Sequence, residues 1–164
     1  MHNSTNLDRF PAAWRITLAF VLAPLSGAMV ASCLNLIVLG DVSLRVFYDG
    51  IWLYSIGAYP SAALIGVPAY FLLRCWVKPT LLNCAAVGAL VAVSPWLFFD
   101  LLHTPDNNFQ AGFEGRDTVV NGHRTAFGWE MWFRGLLRTA VAGFAGGAAF
   151  WAVALDRTDA TKSA

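Results

Sequence analysis

Hydrophobic and polar positions in this chain are sorted into long blocks, not short alternations. Apolar residues run from about Ile16 to Leu39, Ile51 to Leu73, Leu81 to Leu102 and Thr139 to Leu155, with brief charged breaks between them. A helix rises 1.5 Å per residue, so roughly 20 residues cross a hydrocarbon core about 30 Å thick. The first three blocks reach that length. The fourth is about 17 residues of clean apolar sequence, and it lengthens to Gly135 if Arg138 and Arg134 snorkel towards the interface. The pattern predicts an all-α membrane protein with four transmembrane helices in a compact bundle. They fall at about 16–39, 51–73, 81–102 and 135–155, within a single integral membrane domain covering 1–164. A long outer loop, 103–128, precedes the last helix.

Composition agrees with the blocks. Hydrophobic residues make up 57% of the chain and charged residues 13%, against a soluble norm of roughly 25% charged. A net charge of +1 excludes a polybasic nucleic-acid binder. Cys33, Cys75 and Cys84 are odd in number and lack close-paired spacing, which argues against a disulfide framework or a zinc knuckle. Val30-Ala31-Ser32-Cys33 looks like a lipoprotein processing site. Leu34 to Leu39 stay apolar beyond it, so the first helix is expected to be retained.

Orientation follows from Lys and Arg, which are in excess in cytoplasmic loops. Arg9, Arg15, Arg74, Lys78, Arg157 and Lys162 fall on one side; Arg45, Arg116 and Arg124 fall on the other, with Arg134 and Arg138 blurring the count. Both termini are therefore expected in the cytoplasm. Trp and Tyr favour the headgroup level. Trp14, Trp76 and Trp151 mark one interface; Trp52, Trp96, Trp129 and Trp132 mark the other.

Helices in lipid associate by close backbone approach, which small residues every four positions permit. The fourth helix shows the clearest seam: Gly135, Thr139, Gly143 and Gly147, with Ala142 and Gly146 adjoining. Gly27, Ala31 and Asn35 line up in the first helix, Ala58, Ala62 and Gly66 in the second, Ala85 and Ala89 in the third. Pro24, Pro60, Pro68 and Pro95 sit inside spans. Each removes one backbone hydrogen bond and predicts a kink, two of them in the second helix.

Ionisable residues within membranes are functional candidates. Here they are Asp100 near the outer end of the third helix, and Arg134 and Arg138 near that of the fourth. Asp100 and Arg138 are expected to form an interfacial ion pair, while Glu130 and Arg134 share a face at i, i+4. Asp100, His103 and Asp106 resemble a ligand series, but Pro105 breaks any common helix face, and no metal or other cofactor is expected. Within the loop, Asp117 to Thr125 predicts a hairpin reversing at Asn121-Gly122. Phe127, Met131 and Trp132 predict an amphipathic lead-in lying along the outer interface.

Two segments carry a family resemblance. Tyr59-Pro60-x-Ala62-x-Leu64-x-Gly66-x-Pro68-x-Tyr70-x-Leu72-Leu73-Arg74 is similar to a stretch of small, uncharacterised four-helix bacterial inner-membrane proteins. So is Val120-Asn121-Gly122-x-x-Thr125-Ala126-x-Gly128-Trp129, ahead of a Gly/Ala-rich helix ending near Phe150-Trp151. The resemblance implies a multi-pass protein of the bacterial cytoplasmic (inner) membrane and brings no activity with it.

With few reactive residues and many packing seams, the expected role is non-enzymatic. It is that of an accessory, assembly or envelope component acting through helix–helix contacts. The expected partners are membrane lipids and either another copy or a different membrane protein, with no nucleic acid. A small oligomeric transporter or channel is the alternative, supported by Asn35, the serines and the kinking prolines. An enzyme would need His, Asp or Cys clustered at one interface, and only Asp100, His103 and His123 approach this.

Overall fold

Small residues build the interior of this protein and large ones its surface. The computed structural model describes residues 13–40, 43–73, 76, 79–102 and 109–154. Among them the buried apolar side chains are Ala19, Ala28, Ala85, Ala142 and Ala154, together with Pro24. Ile37, Leu64, Leu90 and Leu101, by contrast, are at least 70% exposed. A water-soluble core would have the reverse distribution. Contact through alanine and glycine with leucines facing outward is the arrangement that helix association in lipid permits.

The chain runs α1 (Ala13–Leu39), α2 (Leu44–Ser61), a π-helical turn (Ala62–Gly66), α3 (Val67–Leu73) and α4 (Leu81–Leu102). A small sheet follows, β1 (Ala111–Phe113), β2 (Arg116–Val120) and β3 (His123–Arg124), and then α5 (Ala126–Ala154). Four helical segments are long and apolar enough to cross a membrane, of 26, 30, 22 and 29 residues, and they pack together. The second is α2, the π turn and α3 in one run.

Two spans are longer than expected. The second begins at Leu44 and not Ile51, because Leu44 to Gly50 continue the helix behind Ser43. The fourth begins at Ala126 and not Gly135. The amphipathic lead-in is thus the first turns of α5 itself and not a separate interfacial segment. Thr125 explains the early start. Its hydroxyl accepts from the Gly128 N–H (3.0 Å) and donates to the Asp117 carbonyl (2.7 Å), so it caps the helix and ties it to β2.

The expected hairpin is present, and the loop contains a second one. β1, β2 and β3 form an antiparallel meander. Asn121 and Gly122 turn between β2 and β3 with φ of 49° and 76°, the positive angles that a two-residue primed turn requires. Glu114 and Gly115 do the same between β1 and β2, with φ of 51° and 74°. The sheet lies on the first turn of α5 so closely that a Cβ at Gly128 would collide with the Thr118 carbonyl.

The prolines are absorbed in two ways. Pro95 cannot donate to the Val91 carbonyl, and the Ser94 hydroxyl does so instead at 2.9 Å. Between Pro60 and Pro68 the chain widens into the π turn, where the Val67 N–H bonds to the Ala62 carbonyl five residues back. π turns interrupt helices preferentially at functional positions. At the far end from the meander, Arg15 donates to the Val153 carbonyl (2.8 Å) and the Trp151 indole to the Pro79 carbonyl (3.2 Å), fastening the ends of α1, α4 and α5.

Candidate binding cleft

The glycine seams decide where the bundle is tight and where it is open. On α5, Gly143 and Gly147 face α4: a Cβ at Gly143 would come within 2.5 Å of the Ala92 side chain, and one at Gly147 within 2.8 Å of the Ala85 Cα. Gly135 lies against the Trp96 ring, 3.3 Å from where its Cβ would be. The adjoining stripe faces α1, with Gly146 against the Ala23 carbonyl and Gly27 against that of Ala142. α1 in turn holds α2, through Ser32 on Gly50 and a hydrogen bond of 3.0 Å from the Tyr59 hydroxyl to the Val21 carbonyl.

α2 and α4, the outer two of this series, touch only sparsely. Their run is closest at the π turn, where Gly66 meets Val91 and Phe20. A cavity of about 640 Å³ remains between them, floored by α1 and α5. That volume lies in the range of roughly 300–1,000 Å³ usual for small-molecule sites. At about 30 Å³ for each group the size of a water molecule, it has room for some twenty of them.

Its walls are mainly apolar. Tyr70 and Phe150 line the end near the chain termini, their rings 5.6 Å apart, and Trp96 and Phe99 line the end near the meander. Ser61 and Thr139 also reach it, but each donates its hydroxyl hydrogen to its own helix, at the Gly57 and Gly135 carbonyls, and so presents only acceptor lone pairs.

Tyr54, Tyr70 and Asn83 reach it as well, the last two towards the end near the chain termini. Arg138 and Asn35 both line the cavity, and neither side chain has a hydrogen-bond or ion-pair partner among the described residues. Gly27 against Ala142 and Ala23 against Gly146 set the register of α1 on α5, which brings Asn35 level with the turn just before Arg138. Cα–Cβ bonds of a helix tilt towards its N-terminus, so the Arg138 side chain leans from its own level towards that of Asn35.

The expected Asp100–Arg138 pair is not formed. Both terminal guanidinium nitrogens of Arg124 donate to the Asp100 carboxylate in a two-pronged, half-buried bridge, one contact at 3.2 Å. Arg124 also stacks over Trp129 and Trp132, 5.0 and 5.5 Å from the ring centres. The reason is the early start of α5, which places Arg138 in the thirteenth position of a 29-residue helix. There it lies between the levels of Ala92 and Trp96 on α4, one to two turns deeper than Asp100. β3 instead delivers Arg124 to the carboxylate. Glu130 and Arg134 do pair, at 2.5 Å.

Arg124 escapes a reading based on helix faces because it sits on β3, outside the helices; its position two residues past the Asn121-Gly122 turn is the one signal the sequence offers. Of the possible ligand series, His103 and Asp106 lie outside the described residues, and no group of three metal-binding side chains occurs among those described. Comparison with protein-family models, curated proteins and solved structures finds no match to this chain.

Proposed function

We propose that this chain is a non-enzymatic, multi-pass protein of the bacterial cytoplasmic membrane that holds a membrane-dissolved amphiphile in the cleft between α2–α3 and α4. One observation carries this reading: a cavity of about 640 Å³ with mainly apolar walls and a few polar side chains, Arg138 and Asn35 among them. Guests with a long apolar body and a small polar head match that lining. The inverted distribution of large and small residues supports the membrane setting, and the resemblance of the Tyr59–Arg74 and Val120–Trp129 segments supports the bacterial one.

The role of an accessory component working through helix–helix contacts is less favoured. Gly143 and Gly147 are covered by α4 within the same chain, so that seam is not offered to a partner. A shared pore is likewise less favoured, since Asn35, Ser61 and Arg138 line this chain's own cleft.

Filling the cleft tests the proposal. Gly66 borders it at the narrowest point, with Val91 3.7 Å from a Cβ placed there. Protein extracted in mild detergent should carry co-purifying lipid detectable by native mass spectrometry, and Gly66→Trp should lose it while remaining folded. Equal lipid retention by the two proteins would reject the cleft as the binding site.

The charge bias further proposes that both termini are cytoplasmic and the meander external. With the three native cysteines replaced, a membrane-impermeant thiol reagent applied to intact cells should label a cysteine at Glu114 and spare one at Ser163. The opposite labelling pattern would invert the orientation.

A further inference from the structure

We infer that the occupant of the cleft is an anionic phospholipid, its phosphate held by Arg138 and Asn35 and one acyl chain lying along the groove towards Tyr70 and Phe150. This rests on the cleft reading above and adds the identity of the head and the end at which it enters.

Charge is the first ground. Arg138 lines a largely apolar cavity and pairs with none of the carboxylates among the described residues. A cation in such surroundings is costly unless a counter-charge accompanies it. Guanidinium groups bind phosphate oxygens through two parallel N–H donors, which favours a phosphate-bearing head. Asn35 supplies N–H donors one turn nearer the meander end on the facing helix, the direction in which the Arg138 side chain leans.

Length is the second ground. From Arg138 to Phe150 the groove follows twelve residues of α5, or about 18 Å at the helical rise. That exceeds one leaflet's share, about 15 Å, of the hydrocarbon core, so a chain held from Arg138 reaches past the midplane to the end marked by Trp151. The Arg138 side chain leans towards the meander end, and Trp96, an interfacial residue type, stands at that mouth. The head therefore belongs to the leaflet on the meander side, and the chain runs inward past Gly66.

Native mass spectrometry of the full-length protein, titrated with phosphatidylglycerol or phosphatidylcholine, reads the selectivity directly. Wild-type protein should bind one phosphatidylglycerol roughly tenfold more tightly than phosphatidylcholine, whose choline cation is repelled by Arg138 and partly neutralises the phosphate. Arg138→Gln should weaken binding of both lipids, phosphatidylglycerol the more, and abolish that preference. Arg138→Lys should retain part of it, since the charge remains and the fork does not. Arg134→Gln, which removes an exposed cation one turn away on the same helix, should retain all of it and so excludes a general effect of net charge. A preference surviving in Arg138→Gln would overturn the assignment of the head while leaving the cleft standing. Loss of the preference in Arg134→Gln would reassign it to the surface. Gly66→Trp binding both lipids like wild type would remove the cleft reading itself.

Discussion

Gly147→Leu is expected to prevent stable assembly of the bundle. Gly147 is buried at the closest approach of α5 to α4, where even a Cβ would collide with the Cys84 carbonyl and sit 2.8 Å from the Ala85 Cα. Both obstacles are backbone, so no side-chain rotation relieves them. The helices would have to separate, and every contact along the seam from Cys84 to Trp96 would loosen with them. Overpacking typically costs about 1–3 kcal/mol; a clash with backbone on a shared seam falls at or above the top of that range. Gly143→Leu, against Ala92 and Ala89, should behave alike. Gly57 is the matched control, a helical glycine with nothing within 4 Å of its added Cβ, and Gly57→Leu should change stability by no more than about 0.5 kcal/mol. Thermal unfolding in detergent distinguishes the three variants. A Gly147→Leu protein as stable as Gly57→Leu would mean that α4 and α5 do not meet at this seam.

That seam is legible in the sequence alone, and the reason is local. Four-residue spacing of small side chains marks one face of one helix, and Gly143 and Gly147 need only a neighbour to press against. The four apolar segments are legible for the same reason, since length and hydropathy are properties of consecutive residues. Their ends are not. Nothing polar separates Leu44 from Ile51 strongly enough to break a helix, and the start of α5 is fixed by the Thr125 hydroxyl meeting the Asp117 carbonyl across the meander. Asn121-Gly122 announces one turn because its composition is the usual one for positive φ; Glu114-Gly115 makes the same turn with a less telling first residue.

The cleft is written nowhere in the local pattern. It depends on which pair of helices fails to pack, and that follows from the combined registers of α2 on α1, α1 on α5 and α5 on α4. The Ala58, Ala62 and Gly66 stripe illustrates the difficulty. By spacing it is indistinguishable from the seam on α5, yet a Cβ at Gly66 would meet only side chains, the nearest at 3.7 Å, where Gly143 and Gly147 press on the backbone of α4. The π turn between Ala62 and Gly66 shifts the phase of the helix midway along that stripe, so the small residues there border open space in place of a tight contact.

Asp100 and Arg124 should show strong energetic coupling, and Asp100 and Arg138 should show none. The bridge is two-pronged, with both side chains less than a third exposed, at 27% and 29%. Its guanidinium also lies over the rings of Trp129 and Trp132. Removing either partner leaves a partly desolvated charge behind, which costs more than the pair itself contributes. Asp100→Asn and Arg124→Gln should each destabilise the protein by about 2 kcal/mol, between the value for exposed pairs and the roughly 3–5 kcal/mol seen when fully buried ones are broken. The double variant should lose clearly less than the combined single losses, because the same bridge is broken only once. Arg124→Lys should recover little, since an ammonium can neither make the fork nor stack flat on the indoles. Asp100→Asn combined with Arg138→Gln should instead be additive within about 0.5 kcal/mol, as for sites without shared partners. Unfolding free energies for the two cycles decide the matter. Coupling in the Arg138 cycle and additivity in the Arg124 cycle would restore the pairing suggested by helix ends alone, and would place the start of α5 deeper than Thr125 sets it.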